Sequence, residues 1–259
     1  MRILLPTIAA AALAAFSGTA LAQTQADAYY PPEEMAAARA ALHHATGGAR
    51  HLFFRTDRFE IRQQRDDEEA LLWDIDAWYG GAINRVWLKS EAEYSFDHDE
   101  FEELDVQVLY SRAVSPFFNL QTGIRHDFEP ETGRTHAVLG LQGEAPYWFE
   151  IDAALFLSDE GELTGALETE YELRLTQRLI LQPRAELTWS AEAIPELGVG
   201  SGFGTIETGL RLRYEIRRQF APYAGVEWSR QLGDTGDFAR AAGGRTDNTA
   251  LIAGLRVWF

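Results

Sequence analysis

Polar and apolar residues alternate with a period of two through most of this 259-residue chain, from about residue 52 to the end. The clearest case is "LTGALETEYELRLT", residues 163–176, where Leu163 and Leu167 lie on one side of the repeat and Glu168 and Glu170 on the other. Successive side chains of a β-strand point to opposite faces, whereas a helix would spread these carboxylates around its circumference. The repeat predicts a protein built from long β-strands.

About a dozen segments show this alternation. They lie near residues 52–64, 70–79, 85–95, 102–114, 117–128, 135–143, 148–157, 163–175, 179–191, 204–216, 222–231 and 249–259. Short turns alternate along the chain with longer, acidic or glycine-rich loops, so the two ends of the predicted strands differ. A transmembrane barrel has this asymmetry, with short periplasmic turns and longer external loops, and its tilted strands need roughly 9 to 11 residues.

Alternation alone also fits a secreted β-sandwich or a lipocalin-like barrel, in which the apolar faces point inward. Two features favour a membrane barrel. The polar faces carry many charges of both signs, which can pair across a lumen, and aromatic residues lie near strand ends on the apolar face, where interfacial girdles occur. These aromatic residues are Tyr79, Tyr94, Tyr110, Tyr171, Trp189, Tyr214, Trp228 and Phe259. We predict an all-β, antiparallel, up-and-down transmembrane barrel of about 12 strands over residues 52–259.

The two ends of the chain agree with export to an outer membrane. Residues 1–22 have an early cation, Arg2, then an apolar stretch and a small-residue cleavage site, as is typical of a secretory signal peptide. The last residues, "ALIAGLRVWF", end a regular alternation on Phe259. Such a strand resembles the sorting signal that the outer-membrane assembly machinery recognises, and we expect it to close the barrel.

Residues 23–51 differ from the rest because they carry no strand signal. Two prolines and an alanine-rich run predict one short helix over 33–44, and we interpret the segment as an N-terminal periplasmic extension. The formal net charge of −17 argues against nucleic acid as a partner, since phosphates demand a basic surface. The chain has no cysteine, which excludes disulfides and thiolate metal sites.

Several blocks of sequence resemble the copper resistance protein B family of outer-membrane proteins. The blocks are "NRVWLKSEAE", "AVLGLQGEAPYWFEIDAALFLSDEG", "LILQPRAEL", "GVGSGFGTIETGLRLRYEIRRQFAPYAGVEWSR" and "LRVWF". The resemblance implies a role in copper resistance, by copper ion binding or by export across the outer membrane, beside a periplasmic multicopper oxidase. Family members often carry a stretch rich in methionine and histidine before the barrel. Here that region holds only Met35, His43, His44 and His51, so a thioether cluster for Cu(I) cannot form within one chain.

Five residues are candidate metal ligands. His43, His44 and His51 offer imidazoles, which suit copper, nickel or zinc. Their spacing matches no known site, which favours plain solvation as the alternative. His136 is predicted to point into the lumen near the external mouth, and Asp127 can approach it across the hairpin. This pair fits either a ligand pair or an ordinary hydrogen bond. Acidic loops would also concentrate cations at the mouth by focusing the electric field.

No catalytic residue is predicted, and we expect no enzyme. Ser201 in "GVGSGFG" lies in a glycine-rich loop between two strands, whereas a nucleophile elbow needs a strand-to-helix turn. Two other functions stay open. One is a passive structural or small-solute barrel without a metal role, and the other is a lipid hydrolase at the barrel rim.

Overall fold

The computed structural model describes residues 25–46, 49–65, 68–130 and 133–259. The predicted signal peptide, residues 1–22, lies outside these residues. Within the described ranges, no helix has the length and apolar character needed to cross a bilayer. The chain divides between Ala49 and Arg50 into two compact units.

The N-terminal unit contains a helix, α1 (Pro32–Thr46), after a short 3-10 turn at Gln25–Ala28. Proline is well tolerated in the first turn of a helix, where its missing N–H needs no partner, and Glu33 follows it at the positive end of the helix dipole. An ion pair between Arg39 and Asp27 joins the helix to the 3-10 turn. The predicted helix over 33–44 is therefore confirmed.

Residues 50–259 form a closed antiparallel β-barrel. Its strands are β1 (His51–Gln64), β2 (Glu69–Gly80), β3 (Asn84–Ser95), β4 (Glu100–Ala113), β5 (Phe118–Glu129), β6 (Arg134–Ala145), β7 (Phe149–Ser158), β8 (Leu163–Tyr171), β9 (Leu173–Arg174), β10 (Leu179–Ser190), β11 (Gly202–Tyr214), β12 (Phe220–Gln231) and β13 (Asp247–Trp258). Apart from β8 and β9, each strand pairs with its neighbour in sequence, and β13 pairs with β1. Both β8 and β9 pair with β10, so they occupy one strand position and the barrel has twelve positions.

The predicted fold class and strand order are confirmed, with one difference. The strand predicted over 163–175 is interrupted at Glu172, whose carboxylate accepts hydrogen bonds from Nη2 of Arg213 at 2.5 Å and Nη1 of Arg256 at 3.2 Å. The last strand closes the barrel as expected, because the backbone N–H and C=O of Phe259 bond to those of Phe54 at 2.9 and 3.1 Å.

The apolar faces of the strands point outward and the ionic faces point into the lumen. On β11, Leu210 and Leu212 are each 43% exposed, whereas Arg211 between them is 2% exposed. On β13, Leu251 is 66% exposed and its neighbour Ile252 only 3%. A water-soluble sandwich or lipocalin-like barrel would show the opposite arrangement, so that alternative is wrong.

The two ends of the barrel differ less in loop length than the sequence suggested. We call the end with turns 81–83, 114–117, 146–148, 175–178 and 215–219 the short-turn end, and the opposite end the loop end. Only the connections 191–201 and 232–246 at the loop end are long, because strands such as β4 extend into acidic segments that were predicted as loops.

The two long connections pack against each other. One contains an unpredicted helix, α2 (Gly233–Ala241). Backbone N–H of Gly200 donates to Oγ1 of Thr235 at 2.9 Å, and Oγ of Ser201 donates to Asp234 at 2.8 Å. A Cβ at Gly200 would lie 2.3 Å from the backbone nitrogen of Thr235, so glycine permits this close approach.

Candidate functional site in the barrel interior

A buried cluster of charges joins β1, β11 and β12 inside the barrel. The carboxylate of Glu60 accepts hydrogen bonds from Arg62 at 3.1 Å, from Arg211 at 3.0 Å and from the hydroxyl of Tyr223 at 2.9 Å. Glu227 pairs with both Arg62 and Arg211 at 2.8 Å. Two acids and two bases balance one another here, and the charge-assisted hydrogen bonds offset the cost of burial.

Two further arginines occupy the interior, each between several carboxylates. Arg184 pairs with Glu168 at 2.6 Å and also contacts Glu186. Arg58 pairs with Asp74 at 3.3 Å and contacts Glu91 on β3. These contacts confirm that the predicted ionic faces meet inside the lumen.

Two ion pairs span the lumen rather than linking adjacent strands. Nζ of Lys89 on β3 lies 2.7 Å from the carboxylate of Asp152 on β7, four strand positions away. Arg256 on β13 lies 3.2 Å from Glu172, which is also four strand positions away around the barrel. The partners of each pair face each other only because the sheet closes into a barrel. No local pattern in the sequence could therefore have identified these pairs.

A cavity of about 520 Å³ extends from Phe117 at the short-turn end to the middle of the lumen. Ten acidic side chains line it, against four basic ones, which are Arg55, Arg85, Lys89 and Arg125. Five of these carboxylates also pair with Arg58, Arg184 or Arg256, which face the lumen without lining the cavity. Counting these three arginines leaves ten acids against seven bases, so the cavity keeps a moderate excess of negative charge.

One sector of the lumen is apolar, which the sequence analysis missed. Trp87, Leu109, Val138 and Phe156 pack together there and are nearly fully buried. A weak signal existed, because Trp87 occupies a lumen position between Arg85 and Lys89 in the alternation. Trp87 and Phe156 also line the acidic cavity.

His136 and Asp127 are brought together, as their positions on a hairpin suggested. Nε2 of His136 lies 2.9 Å from Oδ2 of Asp127, and Arg125 donates to the other oxygen of Asp127 at 2.5 Å. His136 is buried, and its Nδ1 has no hydrogen-bond partner. Since Arg125 lines the acidic cavity, the histidine pair lies next to that cavity.

The other three candidate ligands are exposed side chains. His43 and His44 are exposed in the last turn of α1, and His51 is the exposed first residue of β1. Adjacent residues of a helix point about 100° apart, so His43 and His44 do not converge on one ion. Within the part of the chain that the structure describes, no group of three or more His, Cys, Asp or Glu side chains could hold a metal ion.

Comparison with known proteins links the chain to one family. Residues 50–259 match the family model described as "Copper resistance protein B precursor (CopB)". The "Copper resistance protein B homolog" of Pseudomonas syringae pv. tomato is 42% identical over 217 residues, which cover 84% of this chain and 73% of the relative. The "Copper resistance protein B" of Escherichia coli is 42% identical over 197 residues, covering 76% of this chain and 66% of that protein.

Solved structures support the fold. A NanC porin superposes with a TM-score of 0.50 at 11% identity and covers 80% of this chain and 99% of its own. At this identity the similarity shows the architecture alone, which is that of an outer-membrane barrel. The family match spans the whole barrel, and both relatives exceed 40% identity. The chain therefore belongs to the copper resistance protein B family and is a protein of the outer membrane.

Proposed function

We propose that this barrel contributes to copper resistance by binding copper ions in its lumen and exporting them across the outer membrane. Family membership supports the role in copper resistance. The observation that carries the binding step is the acidic cavity, with ten carboxylates against seven basic groups once the paired arginines of the lumen are counted. An excess of negative charge between low-dielectric walls raises the local concentration of cations.

The orientation that such barrels adopt sets the order in which an exported ion would meet these groups. Outer-membrane barrels place short turns in the periplasm and long loops outside. In this orientation the cavity meets periplasmic copper first, and His136 lies further along the path, near the loop end. A periplasmic multicopper oxidase is a partner that could supply the ions, and Phe259 would be recognised by the assembly machinery.

Beyond the cavity, we assign direct copper coordination to His136 and Asp127. Imidazole and carboxylate suit Cu(II), whereas Cu(I) prefers thiolates and thioethers, and this chain has no cysteine. Two donors form an incomplete coordination sphere, which fits transient binding during passage better than storage. His43, His44 and His51 are exposed imidazoles that would add a separate, weaker contribution.

No catalytic step is part of this proposal. The hydroxyl of Ser201 donates to Asp234 in the long loops, so the serine is not paired with a histidine base. The structure offers no observation that favours a rim lipid hydrolase. A passive barrel remains an outcome of the test below.

The test is Cu(II) binding to the purified full-length chain in detergent, measured by electron paramagnetic resonance. The background variant is His43→Gln/His44→Gln/His51→Gln/His98→Gln, which removes the exposed imidazoles. We expect nitrogen hyperfine coupling in this background and its loss on His136→Gln. The matched control is His126→Gln, since His126 lies on the opposite face of its strand and bonds to Thr135.

Two results would contradict the proposal. Nitrogen coupling that persists after His136→Gln would reject the assigned ligand. A barrel that binds no Cu(II), together with unchanged copper tolerance of a host that lacks it, would establish the passive barrel instead.

A further inference from the structure

Two turns at the short-turn end lie side by side and carry exposed arginines. The turn 175–178 connects β9 to β10, and the turn 215–219 connects β11 to β12. The backbone N–H of Glu215 donates to the carbonyl of Arg178 at 2.8 Å, which joins the two turns. We call the exposed residues Arg174, Arg178, Arg217 and Arg218 the basic rim.

Hydrogen bonds hold the backbone of the basic rim in place. Oγ1 of Thr176 accepts from the backbone N–H of Arg178 at 3.2 Å, and Arg217 and Phe220 exchange backbone hydrogen bonds at 3.1 and 3.2 Å. The indole N–H of Trp258 donates to the carbonyl of Arg218 at 2.6 Å. A preorganised surface loses little entropy when it binds a partner.

The arginines of the basic rim lack the partners that the interior arginines have. No carboxylate of the described residues lies within 4.0 Å of their guanidinium groups, whereas nearby Arg213 and Arg256 both pair with Glu172. These four cations lie on adjoining segments of a chain whose net charge is −17. They form a local positive patch at the periplasmic end of an acidic protein.

A recess of about 430 Å³ continues the basic rim into the barrel. It is lined by Arg174 and Arg218 of the rim and by three interior arginines, Arg55, Arg213 and Arg256. The interior arginines already pair with carboxylates, so the two rim arginines supply the free positive charge of the recess. Phe53 and Trp258, whose rings stack at a centroid distance of 6.2 Å, also line it. The recess can therefore accept an anionic side chain that enters from the periplasm.

The chemistry of the rim and the recess favours a peptide carboxylate over a lipid headgroup. Arg174 lies on the lumen face of its strand, opposite the fully buried Ile180. Lipids surround the outer wall of the barrel and do not reach this face. Arginine binds carboxylates with paired hydrogen bonds in a fixed geometry, so several glutamate or aspartate side chains on one segment fit several guanidinium groups.

We propose that the basic rim and its recess dock an acidic peptide segment of a periplasmic protein. This inference requires the periplasmic orientation of the short-turn end, but it does not require that the lumen carries copper. A partner held there would lie at the entrance of the barrel.

Fluorescence anisotropy of a labelled hexaglutamate tests the proposal, with the full-length chain in an uncharged detergent and labelled hexaglutamine as the control probe. We expect hexaglutamate to bind more tightly than hexaglutamine, and we expect its affinity to fall with added salt. The variant Arg178→Gln/Arg218→Gln should weaken binding about tenfold, since it removes two charge-assisted contacts. The matched control, Arg65→Gln/Arg240→Gln, makes the same change of charge at the loop end and should leave binding unchanged.

Three outcomes would overturn the docking proposal. The first is equal binding of hexaglutamate and hexaglutamine. The second is an equal loss of binding in Arg178→Gln/Arg218→Gln and Arg65→Gln/Arg240→Gln, which would indicate nonspecific charge attraction. In nanodiscs, loss of peptide binding on addition of phosphatidylglycerol would instead assign the rim to lipid. Cu(II) binding of Arg178→Gln/Arg218→Gln, expected to equal that of the unsubstituted chain, separates this result from the copper proposal.

Discussion

Single residues determine how closely the interior of this barrel can pack. Gly254 lies opposite Glu60 in the closing pair of β13 and β1, and the ring of Tyr223 covers it. A Cβ at position 254 would lie 2.6 Å from the Tyr223 hydroxyl and the same distance from the carbonyl oxygen of Phe59. The glycine thus makes room for the tyrosine that donates to Glu60.

Gly254→Ala should therefore destabilise the barrel by about 1 to 3 kcal/mol, because the methyl group displaces Tyr223 and breaks its hydrogen bond to buried Glu60. The measurement is equilibrium unfolding in detergent, followed by tryptophan fluorescence. Gly140→Ala is the control, since its added Cβ would meet ordinary contacts at 3.5 Å. Equal stability of the two variants would refute the packing role of Gly254.

Among the elements, strands were predictable from the sequence and loop structure was not. Alternation determines which residues share a face, and the burial of Arg211 between two exposed leucines bears this out. Alternation contains no information on strand tilt or closure, so the Lys89–Asp152 contact across the lumen was not predictable. Helix α2 was missed because it is stabilised by packing on another loop rather than by an apolar repeat of its own.

That packing gives a prediction for the long loops. Gly200→Ala should separate α2 from the 191–201 connection, because its Cβ would overlap the backbone at Thr235. We expect limited proteolysis to cut within 232–246 several times faster, while the barrel itself keeps its resistance to cleavage. Gly133→Ala, whose Cβ would meet nothing closer than 3.5 Å, should digest like the unsubstituted chain. Unchanged cleavage in Gly200→Ala would show that the two loops do not depend on each other.

At the scale of the whole molecule, charge is distributed along the barrel axis. The cluster around Glu60 and Arg211 is balanced, the cavity beside Asp152 keeps an excess of acid after its ion pairs are counted, and the rim at Arg178 and Arg218 is basic. The first stabilises the fold, whereas the other two each keep an excess of one sign of charge. Unbalanced charge of this kind is available to ligands, which is why both proposals lie at these places.

The last residue, Phe259, has two features whose roles can be tested separately. Phe259 exchanges two backbone hydrogen bonds with Phe54, and its ring is 72% exposed on the outer wall. Deleting Phe259 removes two of the many hydrogen bonds between β1 and β13. The free energy of unfolding in detergent should therefore fall by only about 1 to 3 kcal/mol. If the exposed ring is the part that the assembly machinery recognises, insertion in cells should fall several-fold more than this loss of stability explains. Phe259→Tyr keeps the ring and the backbone bonds and should insert normally. Two quantities are measured for each variant: the amount of folded protein in outer-membrane fractions and the refolding yield in vitro. Equal losses in both would show that Phe259 only closes the barrel and is not recognised by the assembly machinery.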